Sequence, residues 1–144
     1  MTIPARVSLV TLGVADVARS LAFYRRLGWE AAVETDGFAV LRTSGTWVAL
    51  YPQGDLSRDM GDPPPAGAPR RTSLAVNVES PDEVDAALED ARASGGSLLA
   101  AGRRAEWGGY TGYFADPDGH AWEVAHNPLW PLDERGVPRI DQGP

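Results

Sequence analysis

The sequence predicts an α+β fold made of two βαβββ modules. Two observations support this prediction: the order strand–helix–strand–strand–strand occurs twice, and a stretch rich in Gly, Pro and Asp separates the two copies. Each module is expected to expose one sheet face, so the two modules should pair and enclose a cleft. A single α+β domain without internal duplication is the alternative interpretation.

The predicted boundaries follow from these composition changes. A single domain is expected over residues 1–144, with a first module at 6–53, a linker at 54–70, a second module at 71–127 and a C-terminal tail at 128–144. The linker contains three consecutive prolines, which favour neither a helix nor a central strand. The tail contains four prolines, and we expect it to run over the surface with Trp130 as an anchor.

The first module begins with an apolar stretch, Val7 to Val14, that is typical of a buried strand. Asp16 is a candidate N-cap for a helix that continues to Leu27, with apolar residues at steps of three and four. Gly28 is expected to end this helix. Three strands should follow, joined by Asp-Gly and Ser-Gly turns, near Glu30–Glu34, Phe38–Arg42 and Trp47–Tyr51.

The second module repeats the pattern. A strand is expected at Ser73–Val78, and a helix should begin after Ser80, with Pro81 in its first turn and Glu83 placed as in a capping box. A Gly-Gly pair ends the helix. The predicted strands that follow lie near Ser97–Ala100, Tyr110–Ala115 and Ala121–Ala125.

Composition excludes several function classes. The chain has 13 basic and 20 acidic residues, a formal net charge of −7, which argues against binding to nucleic acid or to anionic membranes. Cysteine and lysine are absent, so thiolate metal sites, disulfides and Schiff-base chemistry are excluded. The N-terminal residues show no signal-peptide pattern and no apolar run could span a bilayer, so a cytoplasmic location is expected.

Two motifs resemble a known family. The opening run Val10–Asp16, followed by Ser20, Phe23-Tyr24 and Leu27-Gly28, and the closing run Gly112–Val124 resemble the vicinal-oxygen-chelate superfamily, which includes glyoxalases, bleomycin-resistance proteins and dioxygenases. The resemblance covers roughly residues 6–130. It implies two paired βαβββ modules that form a cup-shaped, partly open barrel, and a homodimer as the assembly.

The resemblance also implies four positions at which catalytic members bind a divalent metal. In this chain those positions are occupied by Leu9, Ala49, Ser73 and Glu123. Only Glu123 is a strong ligand, and one carboxylate does not hold a catalytic metal tightly, so no metal or other cofactor is expected. Strand alternation points His120 and His126 away from Glu123, although a β-bulge would change that and restore a metal site.

Glu123 is the strongest candidate for a functional residue, and the best candidate for a catalytic one. Its neighbours Trp122 and Val124 should face the helix, which points Glu123 into the cup. A carboxylate there is expected to contact a ligand, or else to pair with an arginine such as Arg42. The same alternation places further side chains in the cup, and Trp47, Tyr51 and Asn77 are predicted ligand contacts.

A Trp-Gly-Gly-Tyr element supplies aromatic candidates. Trp107, Tyr110 and Tyr113 lie close together in sequence among glycines, which allow a planar ligand to approach. Packing at the rim or a dimer contact is the alternative role. His126 is interpreted as a structural hydrogen bonder with catalysis as the alternative, and the pair Arg103-Arg104 as a solvated surface with anion binding as the alternative.

Three functions are compatible with these observations. The first is a metal-free protein that binds or sequesters a small, partly aromatic organic molecule, as bleomycin-resistance-type relatives do. The second is an enzyme: a metal-dependent lyase, isomerase or dioxygenase, or a metal-free catalyst with Glu123 as acid and base. The third is an interaction module without a ligand. The missing metal ligands favour the first function over metal catalysis, but they do not separate binding from metal-free catalysis.

Overall fold

The computed structural model describes residues 5, 7–60 and 72–140. The chain divides into two compact units, residues 1–66 and 67–144. Among the described residues, no helix is both long enough and apolar enough to cross a membrane.

The first unit contains a four-stranded mixed sheet. Its strands lie in the order β1-β4-β3-β2, with β1 parallel to β4 and the other neighbours antiparallel. The elements in chain order are β1 (Leu9–Val14), α1 (Val17–Arg26), β2 (Ala31–Thr35), β3 (Phe38–Leu41), β4 (Trp47–Pro52) and α2 (Gln53–Met60).

Helix α1 covers one face of this sheet and forms the core of the unit. The predicted N-cap is confirmed, because the Asp16 carboxylate accepts a hydrogen bond of 3.0 Å from the backbone N–H of Arg19. The buried side of the helix carries Phe23 and Tyr24, both fully buried. Leu41 and Leu50 from the sheet are also fully buried, as expected for the strand positions that face the helix.

The second unit repeats this topology. Its elements are β5 (Leu74–Asn77), α3 (Pro81–Ala93), β6 (Ser97–Arg104), β7 (Tyr110–Ala115) and β8 (Ala121–His126), in the sheet order β5-β8-β7-β6. As in the first unit, the first and last strands of the repeat are neighbours in the sheet and run parallel; here they are β5 and β8. The other neighbouring strands are antiparallel. Two mixed sheets, each with the βαβββ order, confirm the predicted α+β fold class.

Helix α3 packs on one face of the second sheet. Ser80 accepts a 3.2 Å hydrogen bond from the Glu83 backbone N–H, and the Glu83 carboxylate accepts one of 2.7 Å from the Glu79 N–H. The predicted cap is therefore present, with the carboxylate reaching one residue further back than in a standard capping box. Leu88 lies over Gly112, where any side chain would collide with its Cδ1 atom.

Two segments differ from the sequence prediction. The first residues of the predicted linker form α2. This helix packs against β1 at Gly13, where a Cβ atom would lie 3.1 Å from Leu56 Cδ2. Strand β6 extends to Arg104, beyond the predicted end at Ala100. Register shifts interrupt its alternation, which is the pattern on which the prediction depended. The rest of the predicted linker, residues 61–70, lies outside the described residues.

The C-terminal tail is held by a local turn. Leu132 and Pro138 form an isolated β-bridge, and the Asp133 carboxylate accepts hydrogen bonds of 2.8 and 2.9 Å from the backbone N–H groups of Arg135 and Val137. These two backbone donors lower the pKa of Asp133. Trp130 remains 38% exposed, and the homodimer stays a prediction.

Candidate functional site

Glu123 lies on the face of the second sheet that is opposite α3. Its neighbours along β8, Trp122 and Val124, are only 4% and 2% exposed and belong to the core under the helix, as the alternation predicts. Glu123 pairs with Tyr113 of β7 on one side and with Ala75 of β5 on the other. Side chains that are paired in this way share a face of the sheet. We call this surface the Glu123 face and define it by Thr111, Tyr113, Ala121, Glu123 and Ala125.

The Glu123 carboxylate is partly buried and accepts a hydrogen bond from a neutral donor. The Thr111 hydroxyl donates a hydrogen bond of 2.9 Å to Glu123 Oε1. Thr111 is itself buried, with 7% of its surface exposed, so this bond lies in a sheltered part of the sheet. A hydroxyl group stabilises a carboxylate without neutralising it.

Tyr113 lies directly across from Glu123. Burial raises the pKa of the Tyr113 hydroxyl above its ordinary value, the charge of Glu123 and a hydrogen bond to it raise that pKa further, and Arg103 acts in the opposite direction. Tyr113 places an aromatic ring and a neutral hydroxyl group on the strand next to the carboxylate.

The residues that flank Glu123 on its own face are small. Ala121 and Ala125 are its neighbours two positions away on β8, and Ala75 is its partner on β5. Asn77 follows Ala75 by two positions on β5 and is partly buried. Alanines on either side mean that no bulky side chain of β8 covers the carboxylate.

The Trp-Gly-Gly-Tyr element does not form one cluster. Trp107 lies in the turn between β6 and β7, is 49% exposed, and packs its indole ring over Gly109. Tyr110 lies on the α3 face, where its hydroxyl donates a 2.9 Å hydrogen bond to Asp85 Oδ1. Burial and this hydrogen bond both raise the pKa of Tyr110, with the hydrogen bond to Asp85 as the larger cause. The structure therefore separates Tyr110 from Tyr113 and Glu123.

Other predicted contacts belong to the first unit. Trp47, Ala49 and Tyr51 alternate on β4 and share the face that is opposite α1. The Tyr51 hydroxyl donates a 3.3 Å hydrogen bond to Asp59 of α2, and its ring meets Phe38 edge-on at a centroid distance of 6.5 Å. The guanidinium of Arg42 lies 5.8 Å from the centre of the Trp47 ring, a cation–π contact.

Comparison with known proteins identifies the family. Residues 6–124 match the model of the Glyoxalase/Bleomycin resistance protein/Dioxygenase superfamily. This chain belongs to that superfamily. The metallothiol transferase FosB of Shouchella clausii is 30% identical over 117 residues, which cover 80% of this chain and 75% of that protein.

Solved structures of superfamily proteins have the same fold. A glyoxalase-related enzyme from Fulvimarina pelagi is 33% identical and superimposes with a TM-score of 0.86, covering 95% of this chain and 99% of that one. A lactoylglutathione lyase from Agrobacterium tumefaciens has a TM-score of 0.67 at 23% identity, covering 90% and 98% of the two chains, and this likeness concerns the fold alone.

Catalytic members of the superfamily hold a divalent metal, as the resemblance implies, and the residues at the four corresponding positions here do not fit one. The strand registers of the two units correspond at the four implied positions, since Thr11 pairs with Ala49 as Ala75 pairs with Glu123. Leu9 lies two residues before Thr11, and Ser73 lies two residues before Ala75. Leu9 and Ala49 have no donor atoms and Ser73 offers only a hydroxyl, so Glu123 is the one strong ligand of the set.

The two histidines do not contribute to the Glu123 face. His126 Nδ1 is 3.2 Å from the carbonyl oxygen of Val78, which identifies it as a hydrogen bonder at the strand end. His120 lies in the turn before β8, where its backbone N–H donates to Asp116. Among residues 5, 7–60 and 72–140, no three His, Asp or Glu side chains form a group that could hold a metal ion.

Sequence reasoning missed one residue of the Glu123 face, and it interpreted a second residue near that face mainly as solvated surface. Thr111 was missed although strand alternation places it on the same face as Tyr113, so the signal was present in the sequence. Arg103 was interpreted as part of a solvated surface, with anion binding as the alternative, and it lies beyond the predicted end of its strand. In the structure it belongs to β6 and pairs with Thr111.

Proposed function

We propose that this protein binds a small, partly aromatic organic molecule at the Glu123 face without a metal. The observation that supports this most strongly is the partly buried Glu123 carboxylate whose hydrogen bond comes from the hydroxyl of Thr111. The cytoplasmic location expected from the composition is part of the same proposal.

The electrostatics of the carboxylate favour a particular kind of ligand group. A partly buried negative charge that is hydrogen-bonded to a hydroxyl group has lost some water, and among the described residues no ion pair offsets that loss for Glu123. A cationic or hydrogen-donating group of the ligand would restore that stabilisation. The flanking alanines leave room for such a group to reach the carboxylate.

Aromatic side chains supply the rest of the proposed surface. The Tyr113 ring lies beside Glu123, and stacking of a planar ligand on it would add roughly 1 kcal/mol beyond simple burial. The half-exposed indole of Trp107 is a second proposed contact. Trp47, Tyr51 and Asn77 remain predicted contacts, whereas Tyr110 is omitted because it lies on the α3 face.

A thermal-shift screen of planar and cationic metabolites and antibiotics tests this proposal. Each hit is titrated by calorimetry against the wild type, Glu123→Gln, Trp107→Ala and Tyr113→Phe. We expect Glu123→Gln to weaken binding about tenfold or more, since a hydrogen bond to a charged group contributes roughly 1.5–3 kcal/mol.

Tyr110→Phe is the matched control, because it removes the same phenol hydroxyl from the opposite face of the same strand. It should change the affinity less than twofold. Hits that bind to Glu123→Gln and Trp107→Ala as tightly as to the wild type would show that the ligand binds elsewhere. If mass spectrometry shows that the protein converts a bound hit into a product, metal-free catalysis is the function and not binding alone.

A further inference from the structure

Two adjacent arginines at the end of β6 face opposite sides of the second sheet. Arg103 pairs with Thr111 of β7, whereas Arg104 pairs with Tyr110. Thr111 belongs to the Glu123 face and Tyr110 to the α3 face, where its hydroxyl is bonded to Asp85. Arg103 therefore extends from the edge of the Glu123 face, and Arg104 does not.

The position of Arg103 puts a positive and a negative charge on one surface. The pairing partner of Arg103, Thr111, is hydrogen-bonded to Glu123. Arg103 and Glu123 are both described in the structure, and no ion pair joins them, in contrast to the exposed pairs Arg25–Glu34 and Arg92–Glu89. The positive charge of Arg103 also acts on Tyr113, which lies between the two strands that carry the charges.

The spacing of the strands sets the distance between the two charged residues. Arg103 is on β6 and Glu123 on β8, with β7 between them, and the register offsets Glu123 by two residues along the strands, so their backbones are about 12 Å apart. Thr111 and Tyr113 of β7 occupy the middle. A ligand that contacted both charged groups would lie across β7, with its apolar part against the Tyr113 ring.

We propose that the ligand of the Glu123 face is a small aromatic zwitterion, with its ammonium group on Glu123 and its carboxylate on Arg103. This inference rests on the proposed function and names the class of ligand. A guanidinium presents a planar pair of N–H groups that fits a carboxylate, whereas the acceptor oxygens of Glu123 fit an ammonium. Arg103 then determines specificity for the anionic end of the ligand.

Three related probes separate the contributions of the two charges. Para-(aminomethyl)benzoate carries both charges, para-methylbenzylamine lacks the carboxylate, and para-methylbenzoate lacks the ammonium. Their affinities are measured by NMR titration of the amide resonances of the full chain. We expect the zwitterion to bind at least about tenfold more tightly than either singly charged probe.

Substitutions assign each charge to a residue. Arg103→Gln should abolish the preference for the zwitterion over para-methylbenzylamine while leaving the affinity for the amine unchanged. Arg104→Gln, the neighbouring control on the opposite face, should leave all three affinities unchanged. Glu123→Gln should weaken the binding of the zwitterion and the binding of the amine by similar factors.

The outcomes distinguish this inference from the proposed function. If the amine binds as tightly as the zwitterion, or if Arg103→Gln and Arg104→Gln behave alike, the zwitterion assignment is overturned while the effect of Glu123→Gln still supports the proposed function. If the probes that bind are insensitive to Glu123→Gln, both are overturned. If none of the three binds, the zwitterion assignment is overturned, and the thermal-shift screen decides the proposed function.

Discussion

Gly109 lies beneath the indole ring of Trp107, and this contact organises the turn between β6 and β7. A Cβ atom at Gly109 would overlap the indole and would lie 2.6 Å from the carbonyl oxygen of His126. Gly108 has a φ of +96°, a conformation that favours glycine. The two glycines therefore have different roles: one allows the turn, and the other allows the ring to approach the backbone.

Replacing Gly109 with alanine should destabilise the fold. The added methyl group must displace Trp107, and we expect the free energy of unfolding to fall by about 1–3 kcal/mol. Urea denaturation measures this change. Gly45→Ala is the control, since nothing lies within 4 Å of the corresponding Cβ position and the change should stay within about 0.5 kcal/mol. Equal stabilities of the two variants would show that the indole does not rest on Gly109.

At the residue scale, strand alternation predicted more of the site than composition did. It placed Glu123 on the face of the sheet opposite to the buried side chains of Trp122 and Val124, as the structure shows. The sequence proximity of Tyr110 and Tyr113 was less informative, because residues three apart in a strand face opposite sides. The hydrogen bond from Thr111 to Glu123 joins two strands, and no local pattern specifies such a contact.

The first turn of α3 is stabilised by its cap. Ser80 accepts from the Glu83 backbone N–H, and the Glu83 carboxylate accepts from the Glu79 N–H. Ser80→Ala removes the side-chain acceptor, and we expect a loss of about 1 kcal/mol in the free energy of unfolding, measured by urea denaturation. Ser80→Asp retains an acceptor at the same position and should lose much less. Equal losses for both variants would contradict the role of Ser80 as a cap.

Element boundaries were predictable where periodicity was regular. Both long helices were found from their caps and apolar spacing, whereas α2 was interpreted as linker because its Gly and Asp residues are typical of turns. The helix packs against Gly13 of β1, a tertiary contact that a local pattern does not show. Strand β6 was cut short because its register shifts remove the alternation on which strand prediction depends.

For the molecule as a whole, the repeated topology was the most predictable property. Both sheets have the same strand order, and equivalent strands pair in the same way. This regularity identifies equivalent positions in the two units, so a change of residue type at one of them can be recognised from the sequence. Ala49 and Glu123 are such a pair, and the superfamily uses both positions for metal binding, as the resemblance implies.

The last prediction concerns the metal content of the purified protein. We expect far less than one equivalent of Zn, Fe, Mn or Ni per chain by elemental analysis, because catalytic metal sites need about three protein ligands and Leu9, Ala49 and Ser73 supply no strong one. Addition of these metals should raise the melting temperature of the wild type no more than that of Glu123→Ala. Asp36→Ala, which removes an exposed carboxylate from a turn, is the control for nonspecific binding. About one metal per chain that is retained in Asp36→Ala and lost in Glu123→Ala would contradict the prediction and would favour a metal-dependent enzyme.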